Sequence, residues 1–150
     1  MKIISHRGNI RGCVPERENA PSYIDCAIGN GYDVEIDVWS VQGDLWLGHD
    51  EPQYKVTWNW IFQRQDNLWL HLKNAAAAKT LNVFQSFCHT EDPYCYTSKG
   101  KIWLHDLNQT FDDKTIIPLL DMETMHKFKD RIKEETPYGI CTDYPCMLND

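Results

Sequence analysis

The sequence predicts an α/β domain built on a parallel sheet, in the form of a pared-down (β/α) barrel or an open sheet. Three observations predict it. Short apolar runs of strand length alternate with stretches of helical periodicity, the pattern of parallel strands joined by right-handed crossovers. Histidine, arginine and carboxylate residues fall at the ends of those runs, where an α/β fold converges its chemistry. The chain has 150 residues, whereas a full eight-fold barrel takes about 250. Helices must then be missing, and the stretch between Cys88 and Ile116 is where they would be lost.

In order, Ile3-Ile4 opens a strand ending at His6, and a Gly-, Arg- and Pro-rich loop runs to about Glu16. Glu18-Asn19-Ala20-Pro21 starts a helix, with Pro21 in the first turn, where its missing N–H is harmless. Tyr23, Ile24, Ala27 and Ile28 recur at helical spacing, and Asn30-Gly31 ends the run. Tyr32 to Val38 reads as the second strand. Gln42-Gly43-Asp44 reads as a tight turn returning through Leu45-Trp46-Leu47 to His49. Thr57 is a candidate cap for a helix carrying Trp58, Ile61 and Phe62. Leu68 to Leu72 is a strand, about Asn74 to Leu81 an alanine-rich helix, and Val83-Phe84 the start of another strand. Cys88 to Gly100 shows no helical period and is expected to be a long ordered loop. Ile102-Trp103-Leu104 and Ile116-Ile117 are strands, and Met122, Met125, Phe128 and Ile132 stripe a last helix capped by Asp121. Tyr138 to Asp143 is a terminal strand stopped by Tyr144-Pro145. No linker, repeat or low-complexity tract divides the chain, so residues 1–150 read as one domain.

Composition excludes some functions. The formal net charge of −7 argues against binding nucleic acid through general electrostatics. No run approaches the roughly 20 apolar residues of a membrane span. His6 and Arg7 interrupt any N-terminal signal segment, which predicts a cytoplasmic protein. The six cysteines show no paired CxxC spacing, so free thiols are the expectation; a zinc site from Cys141, Cys146 and a distant histidine is only weakly signalled.

The chemistry-bearing residues are Ser5-His6-Arg7-Gly8, Glu35 with Asp37, and Gly48-His49-Asp50. Glu35 and Asp37 are spaced i, i+2, so both point to one face of a strand. Two like charges there are unfavourable unless a cation or a basic group sits between them, which makes a metal site the first hypothesis.

His6-Arg7-Gly8, Glu18-Asn19, Glu35-Ile36-Asp37 and Gly48-His49-Asp50 resemble, in order and spacing, the motifs of glycerophosphodiester phosphodiesterases. The terminal Gly139 to Pro145 resembles that family's last barrel strand. The resemblance implies a reduced TIM-barrel-like fold of the phospholipase-C-like phosphodiesterase class. It implies a metal-dependent phosphodiesterase acting on a small glycerol- or sugar-type phosphodiester. His6 and His49 would be the acid/base pair, Arg7 and Lys73 would bind phosphate, and Glu35 and Asp37 would hold Mg²⁺ or Ca²⁺. Where the family usually carries a third acid, two residues before the lysine, this chain has His71. As an imidazole ligand His71 would favour Mn²⁺ or a softer ion; a buried, hydrogen-bonded histidine is the competing reading. Glu91 or Asp92, beside His89, would be another source of the missing oxygen.

Two other functional classes stay open. One is a non-catalytic phosphoryl-ligand binding domain. The other is a phosphodiester lyase or phospholipase D-like enzyme releasing a cyclic phosphate. A shortened barrel would leave sheet edges uncovered, which points to a homodimer.

Overall fold

A computed structural model describes residues 1–89 and 91–149. Thr90, inside the expected loop, and Asp150, at the end of the expected domain, lie outside the described residues. The strands are β1 (Lys2–His6), β2 (Asp33–Val41), β3 (Asp44–Leu47), β4 (Tyr54–Val56), β5 (Leu68–Leu72), β6 (Ser86–Phe87), β7 (Tyr94–Tyr96), β8 (Ile102–Leu104), β9 (Thr115–Pro118) and β10 (Gly139–Thr142). The helices are α1 (Pro21–Gly29), α2 (Trp58–Phe62), α3 (Ala75–Leu81) and α4 (Met122–Glu135), and a 3₁₀ turn covers Pro145–Leu148.

All ten strands join one sheet in the order β4-β3-β2-β1-β10-β9-β8-β7, with β5 pairing β2 and β6. β2 is the hub. Val34 and Glu35 pair with both β1 and β5, and Val38 pairs with both β3 and β5. So β1 and β3 follow one another along one edge of β2, and β5 runs along the other. Pairings among β6, β5, β2, β1, β10, β9 and β8 are parallel, while β2–β3–β4 and β7–β8 are antiparallel.

The side-chain alternation sorts the core. Val34, Ile36, Val38, Leu68, Leu70 and Leu72 pack outward with Ile24 and Ala27 of α1, Ile61 of α2 and Ala77 and Leu81 of α3. Leu104, Ile117 and Ile140 pack outward with Phe128 of α4. The opposite face gathers Ile4, Trp69, Phe87, Trp103, Ile116 and Cys141, each from a different strand, so the sheet curls around them. Glu35, Asp37 and His71 share that concave face. Truncating one fully buried aliphatic, such as Ile36 or Leu70, to Ala would cost about 2–5 kcal/mol.

The expectation of a reduced TIM-barrel-like fold is corrected. The sheet is a curled half-barrel made mostly of strands, with four short helices, not a ring with a helix between successive strands. The reason lies in the segments themselves. β2 to β5 is bridged by an antiparallel meander through β3 and β4 and by the five-residue α2. β6 to β8 is bridged by residues that form β7, where a loop was expected, because Tyr94, Cys95 and Tyr96 pair with Ile102, Trp103 and Leu104. Val83-Phe84 is likewise not a strand start: it lies in the turn after α3, and β6 begins at Ser86. The anticipated caps are present, Thr57 accepting from the Trp60 amide and Asp121 from that of Thr124. No helix among the described residues is long and apolar enough to cross a membrane.

Candidate functional site

The C-terminal ends of β1, β2, β5 and β10 place the candidate residues, and local backbone features aim them. After β1 the chain turns through Arg7 at φ 55° and Gly8 at φ 91°, the left-handed region. A Cβ at Gly8 would lie 2.9 Å from Tyr23 Cδ1, so the turn is built for glycine. The strained Arg7 is clamped on both sides, donating its amide to Glu35 O and accepting from the Asn19 amide. At the β3 end, a Cβ on Gly48 would come within 1.9 Å of Glu51 O. The Gly48 amide donates to Asp37 O and its carbonyl accepts from Trp39 Nε1, which fixes the approach of His49.

Asp37 is the centre of the charge network and is fully buried. Its Oδ2 accepts from Asn19 Nδ2 at 2.9 Å, and its amide donates to Asn19 Oδ1. Arg7 Nε lies 2.9 Å from the same oxygen, off the hydrogen-bonding direction. His71 Nδ1 is 3.0 Å and Lys73 Nζ 3.7 Å from Asp37 Oδ1, and neither makes a proper hydrogen bond to it. Burial alone would raise the Asp37 pKa, but His71, Arg7 and Asn19 outweigh it and hold the carboxyl well below the usual range. Glu35 goes the other way: burial and the Asp37 charge push it up. Among the described residues, two buried carboxylate oxygens, Glu35 Oε2 and Asp37 Oδ1, accept no hydrogen bond.

The two histidines face different charges. His6 Nδ1 is 2.8 Å from Asp143 Oδ1, and its Nε2 is 3.9 Å from Glu35 Oε2. Burial alone would lower its pKa, but the Asp143 bond and the Glu35 charge overcome that and raise it. His49 is lowered by burial and by Arg7, whose Nη2 donates to His49 Nδ1 at 2.7 Å. Arg7 Nη1 also donates to Glu18 Oε2, and Asn9 ties Glu18 to Asp143 through two 2.8 Å bonds.

These groups open on a cavity of about 240 Å³ lined by His6, Arg7, Glu35, His49 and His71 together with Phe87, Trp103 and Leu120. A larger cavity of about 700 Å³ beside Met1, Lys133 and Tyr138 gathers no comparable set.

All seven residues singled out in the sequence are therefore brought together: His6, His49, Arg7, Lys73, Glu35, Asp37 and His71. One ligand atom from each of Glu35, Asp37 and His71 lies within 4.8 Å of the others, a spacing able to surround a cation. The two orphaned carboxylate oxygens fit that role, because a buried anionic oxygen without a donor is costly unless an ion satisfies it. Glu91 and Asp92 are absent from that triad. Asn9, Asn19 and Asp143 had no assigned role in the sequence; Asp143 alone was legible, as an acid closing an apolar terminal strand. No family model matches the chain, and no curated protein matches it.

Proposed function

We propose that this chain is a metal-dependent phosphodiesterase of the glycerophosphodiester phosphodiesterase type, acting on a small diester with a glycerol- or sugar-type hydroxyl. The observation that carries the reading is the pair of unpartnered oxygens on Glu35 and Asp37, buried beside His71 and within reach of two differently charged histidines. When bound at Glu35, Asp37 and His71, a divalent cation, Mg²⁺ or Ca²⁺ by resemblance and Mn²⁺ by the imidazole donor, screens phosphoryl charge and polarises the phosphorus.

The chain's own residues supply the rest. Arg7 offers a planar fork and Lys73 a point charge to the non-bridging oxygens. His6, flanked by Asp143 and Glu35, keeps a proton on Nε2 and gives it to the leaving oxygen. His49 sits beside Arg7 and stays neutral. As substrate oxygens draw Arg7 away, His49 exchanges its Nε2 proton through solvent for one on Nδ1, which then faces Asp37 Oδ2, 3.6 Å distant, and leaves Nε2 free to accept the proton of the attacking hydroxyl. Attack by a neighbouring substrate hydroxyl gives a cyclic phosphate; attack by water gives the monoester. Six free thiols fit a reducing compartment such as the cytoplasm.

A second reading draws on the three basic side chains already gathered at Asp37, which would hold a phosphoryl ligand without turnover. Release of nitrophenol from bis(4-nitrophenyl) phosphate, assayed with Mg²⁺, Ca²⁺ and Mn²⁺, separates the two. Turnover that requires the ion and falls at least about 100-fold in His6→Ala and His49→Ala supports the enzyme. Ester binding with no release under any ion refutes it and leaves the binding domain. Phosphorus NMR of the product then divides hydrolase from cyclising lyase.

A further inference from the structure

The cavity beside the charged rim is lined largely by rings. β5, β6 and β8 contribute a continuous stack across the concave face: the His71 ring lies 5.0 Å from that of Phe87 at 7°, and Phe87 lies 4.3 Å from Trp103 at 16°. His89 and His105 stack in turn, with centroids 3.4 Å apart, and the His89 ring lies 6.4 Å from that of His71. Pro118 of β9 and Leu120 just beyond it add apolar surface to the same cavity. Phe87 and Trp103 are buried and so held in place, whereas Leu120 is 38% exposed. None of Phe87, Trp103, Pro118 and Leu120 takes part in the proton transfers or the cation binding assigned to the rim. The two histidines of the rim have different surroundings. His6 lines the ring cavity; His49 lines it too, but also borders a second cavity of about 160 Å³ whose walls include the polar Asn19, Asp50 and Gln53.

We propose that the ring-lined cavity is the subsite for the leaving arm of the diester, and that this arm is a compact apolar alcohol carrying a flat ring. The inference rests on the phosphodiesterase reading, in which His6 protonates the leaving oxygen and His49 takes the proton of the attacking hydroxyl. The arm beside His6 then meets Phe87, Trp103 and Leu120, and the glycerol- or sugar-type arm lies on the His49 side, next to the polar cavity. The attacking hydroxyl or water forms the new P–O bond and gives its proton to His49. The P–O bond to the ring-bearing alcohol breaks, and that oxygen leaves with the proton from His6. A flat ring buries apolar area and also makes the offset or edge-to-face contacts that ring pairs prefer, which an alkyl arm lacks. Size selects against a lipid arm. At about 240 Å³ the cavity falls below the roughly 300–1,000 Å³ of pockets for drug-sized ligands, so it takes one ring and leaves most of a long acyl chain in water.

Diesters of glycerol phosphate with methyl, benzyl and octyl arms test this in the presence of Mn²⁺. Methanol and benzyl alcohol are similar in acidity, so leaving-group chemistry does not favour the ring. The expected kcat/KM is at least about 10-fold higher for the benzyl than for the methyl diester, with the octyl diester below the benzyl. Calorimetric binding of benzyl phosphate against methyl phosphate reads the same preference without turnover. Both benzyl-to-methyl ratios should fall several-fold in Phe87→Leu, which keeps an apolar side chain but removes the ring, and in Leu120→Ser, whose half-exposed position leaves the fold intact. Metal-dependent turnover with no benzyl preference leaves the phosphodiesterase standing and overturns the ring subsite. Tighter binding of benzyl phosphate with no turnover of any diester refutes the phosphodiesterase and supports the subsite for a ring-bearing phosphoryl ligand. An octyl diester preferred to the benzyl one, equal or absent binding of the two monoesters, or a preference unchanged in both variants overturns the proposal.

Discussion

Glu35→Gln and Asp37→Asn remove one negative charge each from neighbouring buried positions, yet their effects on the ion-free protein should be opposite. Glu35 lies 3.9 Å from His6 Nε2 and 3.7 Å from His71 Nδ1, with no hydrogen bond to its Oε2. It also faces the like charge of Asp37, with ligand atoms within 4.8 Å. At an effective dielectric of about 20, full charges at that distance repel by about 3.5 kcal/mol. Glu35→Gln removes that repulsion, so the ion-free variant should melt at or above wild type. Asp37 is the anion on which Arg7, His71 and Lys73 converge. Asp37→Asn leaves the Arg7 and Lys73 charges without their buried partner, at a cost of about 3 kcal/mol, or roughly 6–12 °C for a domain of this length. With an ion at about 100 times its Kd, wild type should gain about 2.7 kcal/mol, roughly 5–10 °C. Both variants should lose that gain. Calorimetry with and without Mn²⁺ measures all six states. Retention of the ion-induced shift in Glu35→Gln, or an ion-free loss in it as large as in Asp37→Asn, would refute the reasoning.

Three further outcomes are expected. His71→Glu should raise Mg²⁺ affinity relative to Mn²⁺ in competition titrations, since it exchanges an imidazole for a hard oxygen donor; an unchanged ratio would remove His71 from the ligand set. Asp143→Asn should shift the limb of the pH–rate profile that reports His6 to lower pH, because Asp143 helps raise that pKa. A fall in rate with an unmoved profile would make Asp143 merely structural. At the end of α4, Glu135 is held down to about 2 by Arg131 and the Phe111 amide. A carboxylate so depressed contributes stability above its unfolded pKa of about 4.3 and loses it as pH falls towards about 2. The protection factor of the Phe111 amide, its exchange rate corrected for the intrinsic pH dependence, should therefore fall over that window in wild type and be flat in Glu135→Gln.

The sequence carried more of the site than of the architecture, for physical reasons that differ by residue. Glu35 and Asp37 were readable because the period-2 strand rule puts them on one face whatever surrounds the strand. The flanking Val34, Ile36 and Val38 do pack outward, as that alternation requires. Pro21, Thr57, Asn74 and Asp121 were readable as caps or helix starts because capping is local chemistry. The curl was not, because it depends on which strands pair. Nothing in Tyr54-Lys55-Val56 announces that it extends an antiparallel meander beside β3, and Tyr94-Cys95-Tyr96 is too short to show a strand period. The polar clamps were hidden similarly. Asn19 acts on Asp37 and Asn9 on Asp143 across 18 and 134 residues, spacings that no local rule reports. The charge on Arg7 could be read, but not its left-handed backbone, which favours glycine and here carries a guanidinium.

The account stands on the cation site. Anomalous diffraction at the manganese edge from crystals soaked in Mn²⁺ tests it most directly. The expected map has a peak at the ends of β2 and β5, at coordinating distance from Glu35 Oε2, Asp37 Oδ1 and a His71 nitrogen, with Arg7 and Lys73 drawn off Asp37. No peak there at saturating Mn²⁺, with Arg7, His71 and Lys73 still closed on Asp37, would contradict the metal site and the phosphodiesterase reading built on it.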